Sequence, residues 1–135
     1  MTETTLQTLH PAGWKAAKGY ANGIAAQGRM VFLGGQIGWN ANQVFESDDF
    51  IEQTLQTLRN IVEVLQEAGG RPEHIVRMTW FVTDKAEYLA RLRELGQAYR
   101  EIIGRHFPAM SVVQVVALME DAAKVEIEAT AVLPE

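Results

Sequence analysis

The sequence predicts a single α/β domain of element order β-β-α-β-α-β-β, with two helices laid over one face of a mixed sheet. Three observations carry that prediction. Two stretches repeat apolar residues at helical spacing, the other apolar runs are short and β-prone, and helices alternate with strands in a way that requires crossover connections. The chain has 135 residues, 47% of them hydrophobic, which suits one domain spanning 1–135. A chain of this length buries roughly two thirds of its unfolded surface, enough for a core without covalent staples.

The first two strands are expected at residues 20–26 and 29–35, joined as a hairpin through Gln27-Gly28. The first helix is expected over 49–68, where Ile51, Leu55, Leu58, Val62 and Leu65 step along one stripe. Asp48 and Asp49 place acid at its positive end, and Gly69-Gly70 followed by Pro72 stops it. A strand follows at 74–83, with Ile75, Val76, Met78, Trp80, Phe81 and Val82 on both alternating faces. The second helix is expected over 85–103. Tyr88, Leu92, Leu95, Tyr99 and Ile102 repeat the helical spacing, Asp84 and Glu87 have capping-box spacing, and Gly104 ends it. Each helix is under three heptads long, too short for a coiled coil. The strand at 110–118 holds Val112, Val113, Val115 and Val116. The last strand alternates cleanly, Val125, Ile127, Ala129, Ala131 and Leu133 against Lys124, Glu126, Glu128 and Thr130.

Residues 75–83 and 110–118 read as apolar on both sides, while two helices can cover only one. The second face is expected to bury itself against another copy of the chain, making an obligate homo-oligomer.

Composition excludes several chemistries. There is no cysteine, so disulfides, thiolate metal sites and a cysteine nucleophile are ruled out together. Twelve Lys and Arg against 17 Asp and Glu give a net charge of -5 with no basic run, which argues against a general nucleic-acid binder. Met1 to Leu9 lacks the pattern of a secretory signal and no window is long and apolar enough to span a membrane, so a cytoplasmic protein is expected. His10, His74 and His106 have no metal-binding spacing and read as surface or helix-end residues. Neither Ser47 nor Ser111 lies in a nucleophile motif. Gly34-Gly35 follows a strand without a dinucleotide-binding pattern. It reads either as a turn or bulge, or as backbone N–H groups offered to a ligand oxygen. Glu126 and Glu128 share a strand face roughly 7 Å apart, as a proton-transfer pair or as a solvated face with Lys124. Trp39, in the loop Gly38-Trp39-Asn40, needs cover from a ligand cleft or from a subunit contact.

Residues 19–132 resemble the RidA family, also called the YjgF/YER057c/UK114 family and formerly endoribonuclease L-PSP. The carriers are Gly34-Gly35-Gln36-Ile37, then Gly69-Gly70, then Phe107-Pro108-Ala109-Met110-Ser111 and Val125-Glu126-Ile127-Glu128-Ala129. The resemblance implies a chorismate-mutase-like α/β fold forming a homotrimer with clefts between subunits. It also implies hydrolysis of a reactive imine or enamine to a carbonyl compound and ammonia, with no cofactor and no metal. By position, Glu126 falls on the glutamate that orients the attacking water, while Glu128 stays structural. Tyr20, Gly34, Gly35, Trp39, Met110 and Val112 are the expected substrate-binding residues.

Three positions depart from the family pattern: Met110 stands where deaminating members carry a carboxylate-binding arginine, Gly34 where a serine is usual, and Gly96 where an asparagine is usual. A thioether cannot replace two charge-assisted hydrogen bonds, each worth roughly 1.5–3 kcal/mol. The sequence therefore implies a non-standard imine or enamine substrate, larger or less anionic, in the direction of a 2-aminomuconate type of deaminase. The alternative is a metabolite-binding or chaperone-like trimer without turnover; acidic composition counts against ribonuclease activity. Lys15, Arg77 and Arg105 are the basic residues that could supply the lost cation from a neighbouring subunit.

Overall fold

The computed structural model describes residues 5–135, so the first four residues of the segment read for a leader lie outside it. Two main helices cover one face of a mixed sheet, as predicted. The elements are β1 (Thr5–Leu9), β2 (Gly23–Gln27), β3 (Arg29–Ile37), α1 (Phe50–Glu67), a 3₁₀ turn (Pro72–His74), β4 (Ile75–Val82), α2 (Lys85–Ala90), α3 (Leu92–Ile102), β5 (Ala109–Gln114) and β6 (Val125–Leu133). The main sheet has the order β3-β6-β4-β5, with β4 and β5 parallel and the other pairs antiparallel.

The expected hairpin at Gln27-Gly28 does not form. β2 pairs with β1, an element the sequence reading missed, whereas β3 pairs with β6. Only Gly28 separates β2 from β3, and the tightest common hairpin loops take two residues. Gly28 instead turns a corner at φ +148°, where a Cβ would lie 3.0 Å from the Leu133 carbonyl carbon. Just before β2, Ala21 bridges Ala109 and donates its N–H to the Pro108 carbonyl. β2 therefore crosses the end of the main sheet, from β5 to the last residues of β6.

α1 begins where Asp49 Oδ2 accepts from the Glu52 N–H, and its buried stripe is broader than a heptad seam. Leu58, Ile61 and Leu65 are fully buried, with Phe50, Ile51, Thr54 and Thr57 beside them, while Leu55 and Val62 lie at the border. The two threonine hydroxyls donate back to the carbonyls of Phe50 and Gln53, which removes their polarity from the core. Buried Gln53 donates to the carbonyls of Ser47 and Ala122 and accepts from Lys124 N–H, tying two loops to the helix.

The second predicted helix is broken. Arg91, at φ -117° and ψ 26°, separates α2 from α3, and its guanidinium reaches Asp49 at 2.6 Å and Glu94 at 2.7 Å. That guanidinium holds the Asp49 carboxyl below its ordinary range against the opposing pull of burial. Asp84 caps α2 by accepting from Glu87 N–H.

The strand predicted over 110–118 ends at Gln114. β4 ends at Val82, whose carbonyl takes a last bond from the Val115 N–H, and the Gln114 amide oxygen turns to accept the Lys85 N–H. Val116 and Met119 are consequently exposed loop residues.

Along β4 and β6, Met78, Trp80, Val82, Val125, Ile127 and Ala129 face the helices and are buried. The alternate residues Thr79, Phe81, Glu126, Glu128 and Thr130 face away. This second face is mixed rather than uniformly apolar, a correction to the reading of 75–83. Its most exposed large apolar side chain is Phe32, 72% accessible.

Candidate functional site

The expected site residues separate into two groups on opposite sides of the sheet. On the helix side, Met110 and Val112 sit beside Met78 and Trp80 in the parallel register of β5 and β4. Because β5 is an edge strand, α3 leaves part of that side open, and a cavity of about 460 Å³ lies there. Tyr20, Trp80, Tyr88, Tyr99, Met110 and Val112 line it. The volume suits a small organic molecule.

Packing fixes the back of this cavity. Tyr99 stacks on Phe107 with ring centroids 5.6 Å apart and donates its hydroxyl to the His106 carbonyl at 2.5 Å. Burial pushes the Tyr99 phenol far up, so it serves as a donor and not as an acid near neutral pH. His106 in turn donates its Nε2 proton to the Ile75 carbonyl at 2.6 Å, which ties the segment before β5 to the start of β4. The Trp80 indole N–H is buried and has no partner among the described residues.

On the open side, the register of β3 against β6 slips between Leu33 and Gln36, so Gly34 and Gly35 form a β-bulge. This bears out one of the two readings of Gly34-Gly35. The two glycines are not equivalent. A Cβ on Gly34 meets nothing, whereas one on Gly35 would overlap the Glu126 carboxylate, lying 2.9 Å from its carboxyl carbon. The Glu126 side chain therefore lies on bare backbone, and among the described residues no cation forms an ion pair with it. Glu128 lies further along the same face, in a separate small hollow with Arg77 and Thr79.

Trp39 belongs to neither group. Its ring packs 5.8 Å from Phe45, and its carbonyl accepts from Asn60. Of the five residues other than Trp39 expected to bind substrate, Tyr20, Met110 and Val112 share a cavity, while Gly35 keeps company with Glu126; Gly34 stands exposed beside it. Lys15, Arg77 and Arg105 do not line the Tyr20 cavity; Lys18 and Arg100 do. The sequence reading missed these two cations; for Arg100 the available signal was its i,i+4 spacing from Gly96 on one helix, whereas Lys18 lies in a loop with no such signal.

No helix is long and apolar enough to cross a membrane, and no group of three or more His, Cys, Asp or Glu is arranged to hold a metal ion, both among the described residues. His74 is buried and accepts the Arg71 N–H on Nδ1; burial lowers its pKa.

Residues 11–133 match the family model described as Endoribonuclease L-PSP. The chain is 34% identical to the 2-iminobutanoate/2-iminopropanoate deaminase of Salmonella typhimurium, over 84% of this chain and 86% of the relative. Among solved structures, YyfB of the conserved Rid protein family from Yersinia pestis superposes with a TM-score of 0.85 at 31% identity, covering 95% of this chain and 98% of that one. TdcF from E. coli, solved with bound serine, gives 0.67 at 32% identity, covering 87% and 90%.

Proposed function

The chain belongs to the endoribonuclease L-PSP family, the RidA or YjgF/YER057c/UK114 family of the sequence reading, and from that membership we propose that it is an imine or enamine deaminase working in clefts between the subunits of a homotrimer. The observation that carries the reading is the Glu126 carboxylate laid over the bare backbone of Gly35. A carboxylate in that position can hold a water by one oxygen and take its proton as the oxygen attacks the imine carbon. Returned to the nitrogen, that proton completes a carbinolamine, which collapses when its hydroxyl proton passes through the same carboxylate to the amine. The carbon–nitrogen bond breaks, ammonia leaves, and the carbonyl remains. One water is consumed and no electrons change hands.

The trimer is part of the same reading. Within one chain Glu126 and Met110 lie on opposite faces of the sheet, separated by β4, so a cleft holding both needs a second subunit. The accessible Phe32 and Val113 on the open face support this arrangement.

The substrate is read as non-standard. Met110 offers the cavity a thioether where a guanidinium would grip a small imino acid's carboxylate, so the pocket favours a substrate with more apolar surface. A second reading, a metabolite-binding trimer without turnover, is favoured by the apolar cavity and by TdcF, a family structure solved holding serine.

Ammonia release from a panel of imines and enamines separates the two. The expected result is turnover of at least one bulky substrate, reduced about 100-fold or more by Glu126→Gln with the trimer intact. Unchanged turnover in that variant rejects the role of Glu126, and a retained ligand that is never converted favours the binding reading.

A further inference from the structure

Gly96 and Arg100 sit one turn apart on α3, at the mouth of the cavity beside β5. A Cβ on Gly96 would lie 3.2 Å from Arg100 Nη1, so the guanidinium fills space that any larger residue at 96 would crowd. Arg100 forms no ion pair among the described residues. Arg91, at the start of the same helix, differs: Asp49, Glu87 and Glu94 surround it. Lys18 lies at the same mouth as Arg100, and no Asp or Glu lines the cavity. In a chain of net charge -5 that local balance stands out from the surface as a whole. Behind the two cations the walls are carbon, from Leu92, Leu95, Phe107 and Met110.

An apolar cavity rimmed by unpaired cations selects a molecule with two parts. The body gains by leaving water, at about 25 cal/mol per Å² of apolar surface. The head gains a charge-assisted, bidentate hydrogen bond that a neutral group cannot make. We propose that this cavity binds amphipathic carboxylates, with an aryl or medium-length alkyl body between Leu95, Phe107 and Met110 and the carboxylate on Arg100. This rests on the deaminase reading and deepens it: the substrate is an imine or enamine carrying both a carboxylate and a bulky apolar group. Gly96 is a positioning residue, because it leaves the guanidinium its place.

Binding can be tested without turnover. Calorimetry on the intact protein compares 3-phenylpropionate with its neutral counterpart 3-phenylpropanamide and with acetate. The expected result is that 3-phenylpropionate binds at least about ten-fold more tightly than either. Arg100→Gln should abolish the preference over the amide, while Arg59→Gln, at an exposed position of α1, should leave it intact. Equal affinity for acid and amide, a preference that survives Arg100→Gln, or no binding of any probe overturns the proposal. The two readings fail separately. Carboxylate selectivity without ammonia release from any imine sinks the deaminase and spares the site. Imine hydrolysis whose KM for bulky carboxylated substrates ignores Arg100→Gln sinks the site and spares the deaminase.

Discussion

On the helix side of the sheet, Tyr20, Met110 and Val112 meet Trp80 and Tyr99 around a largely apolar cavity; on the open side, Glu126 lies against the backbone of Gly35, with Phe81 opposite it in the ladder. The first region has shape and almost no reactive group. The second has a carboxylate and no enclosure. In the proposed mechanism recognition and proton transfer fall on different faces, and one chain cannot bring them to the same molecule. In the proposed trimer the edge strand β5 of one subunit meets the open face of the next, and the two incomplete halves become one site.

The largest change that should break this division, after Glu126→Gln, is Met110→Arg. A guanidinium on β5 supplies two charge-assisted hydrogen bonds to a small carboxylate, so hydrolysis of imines made from small amino acids by an amino-acid oxidase should rise about ten-fold or more. Equal and negligible rates in both proteins would show that the missing arginine is not what limits small substrates.

The open half is tested through its two glycines. Gly35→Ala puts a methyl group into the Glu126 carboxylate and should lower turnover on the order of ten-fold, whereas Gly34→Ser, in open space, should leave it within about two-fold. Steady-state kinetics on both variants decide the matter, and equal behaviour would remove the bulge from the argument.

A smaller effect bears on whether the halves lie on different subunits. Co-expressed chains, one Glu126→Gln and the other closed at the cavity by Gly96→Trp, each lack one half. Random mixed trimers should regain about a quarter of wild-type turnover, because one interface in four then pairs an intact cavity with an intact carboxylate. No recovery, with mixing verified by two affinity tags, would place both halves in one subunit.

Much of the fold was legible because its signals are local. The stripe from Ile51 to Leu65, the stop at Gly69-Gly70 and the alternation from Val125 to Leu133 each need only near neighbours along the chain. What the residues hid was long-range. That β3 leaves β2 for β6 depends on a corner at Gly28 against Leu133, over a hundred residues away. The break at Arg91 depends on Asp49, a residue of another element. Of the candidate site, Glu126 and Gly35 could be named from the resemblance, but their position across the sheet from Met110 follows from strand order, which periodicity does not report. Arg100 stayed hidden because an arginine on a helix reads as solvated surface until the gap at Gly96 gives it a place.

The smallest effect separates both halves from the stability of the chain. His74 lies in the 3₁₀ turn before β4, outside the cavity and away from Glu126, 8% accessible, with Nδ1 accepting the Arg71 N–H. Burial lowers its pKa from 6.5; Glu73 opposes the shift, while Arg71 and His106 add to it. A group that is harder to protonate folded than unfolded stabilises nothing above the unfolded pKa relative to the plateau there. It withdraws stability as pH falls below about 6.5, since the unfolded chain then takes up a proton that the folded one refuses. Thermal melts from about pH 7.5 to 5.5 should therefore show Tm falling more steeply in the wild type than in His74→Gln, whose amide oxygen can still accept the Arg71 N–H. The pH profile of turnover, governed by groups in the two halves, should be the same in both proteins. A profile that shifted along with Tm would mean that the carboxylate face and the cavity are held in register through the His74 turn, and that the two sides of the sheet are less independent than their residues suggest.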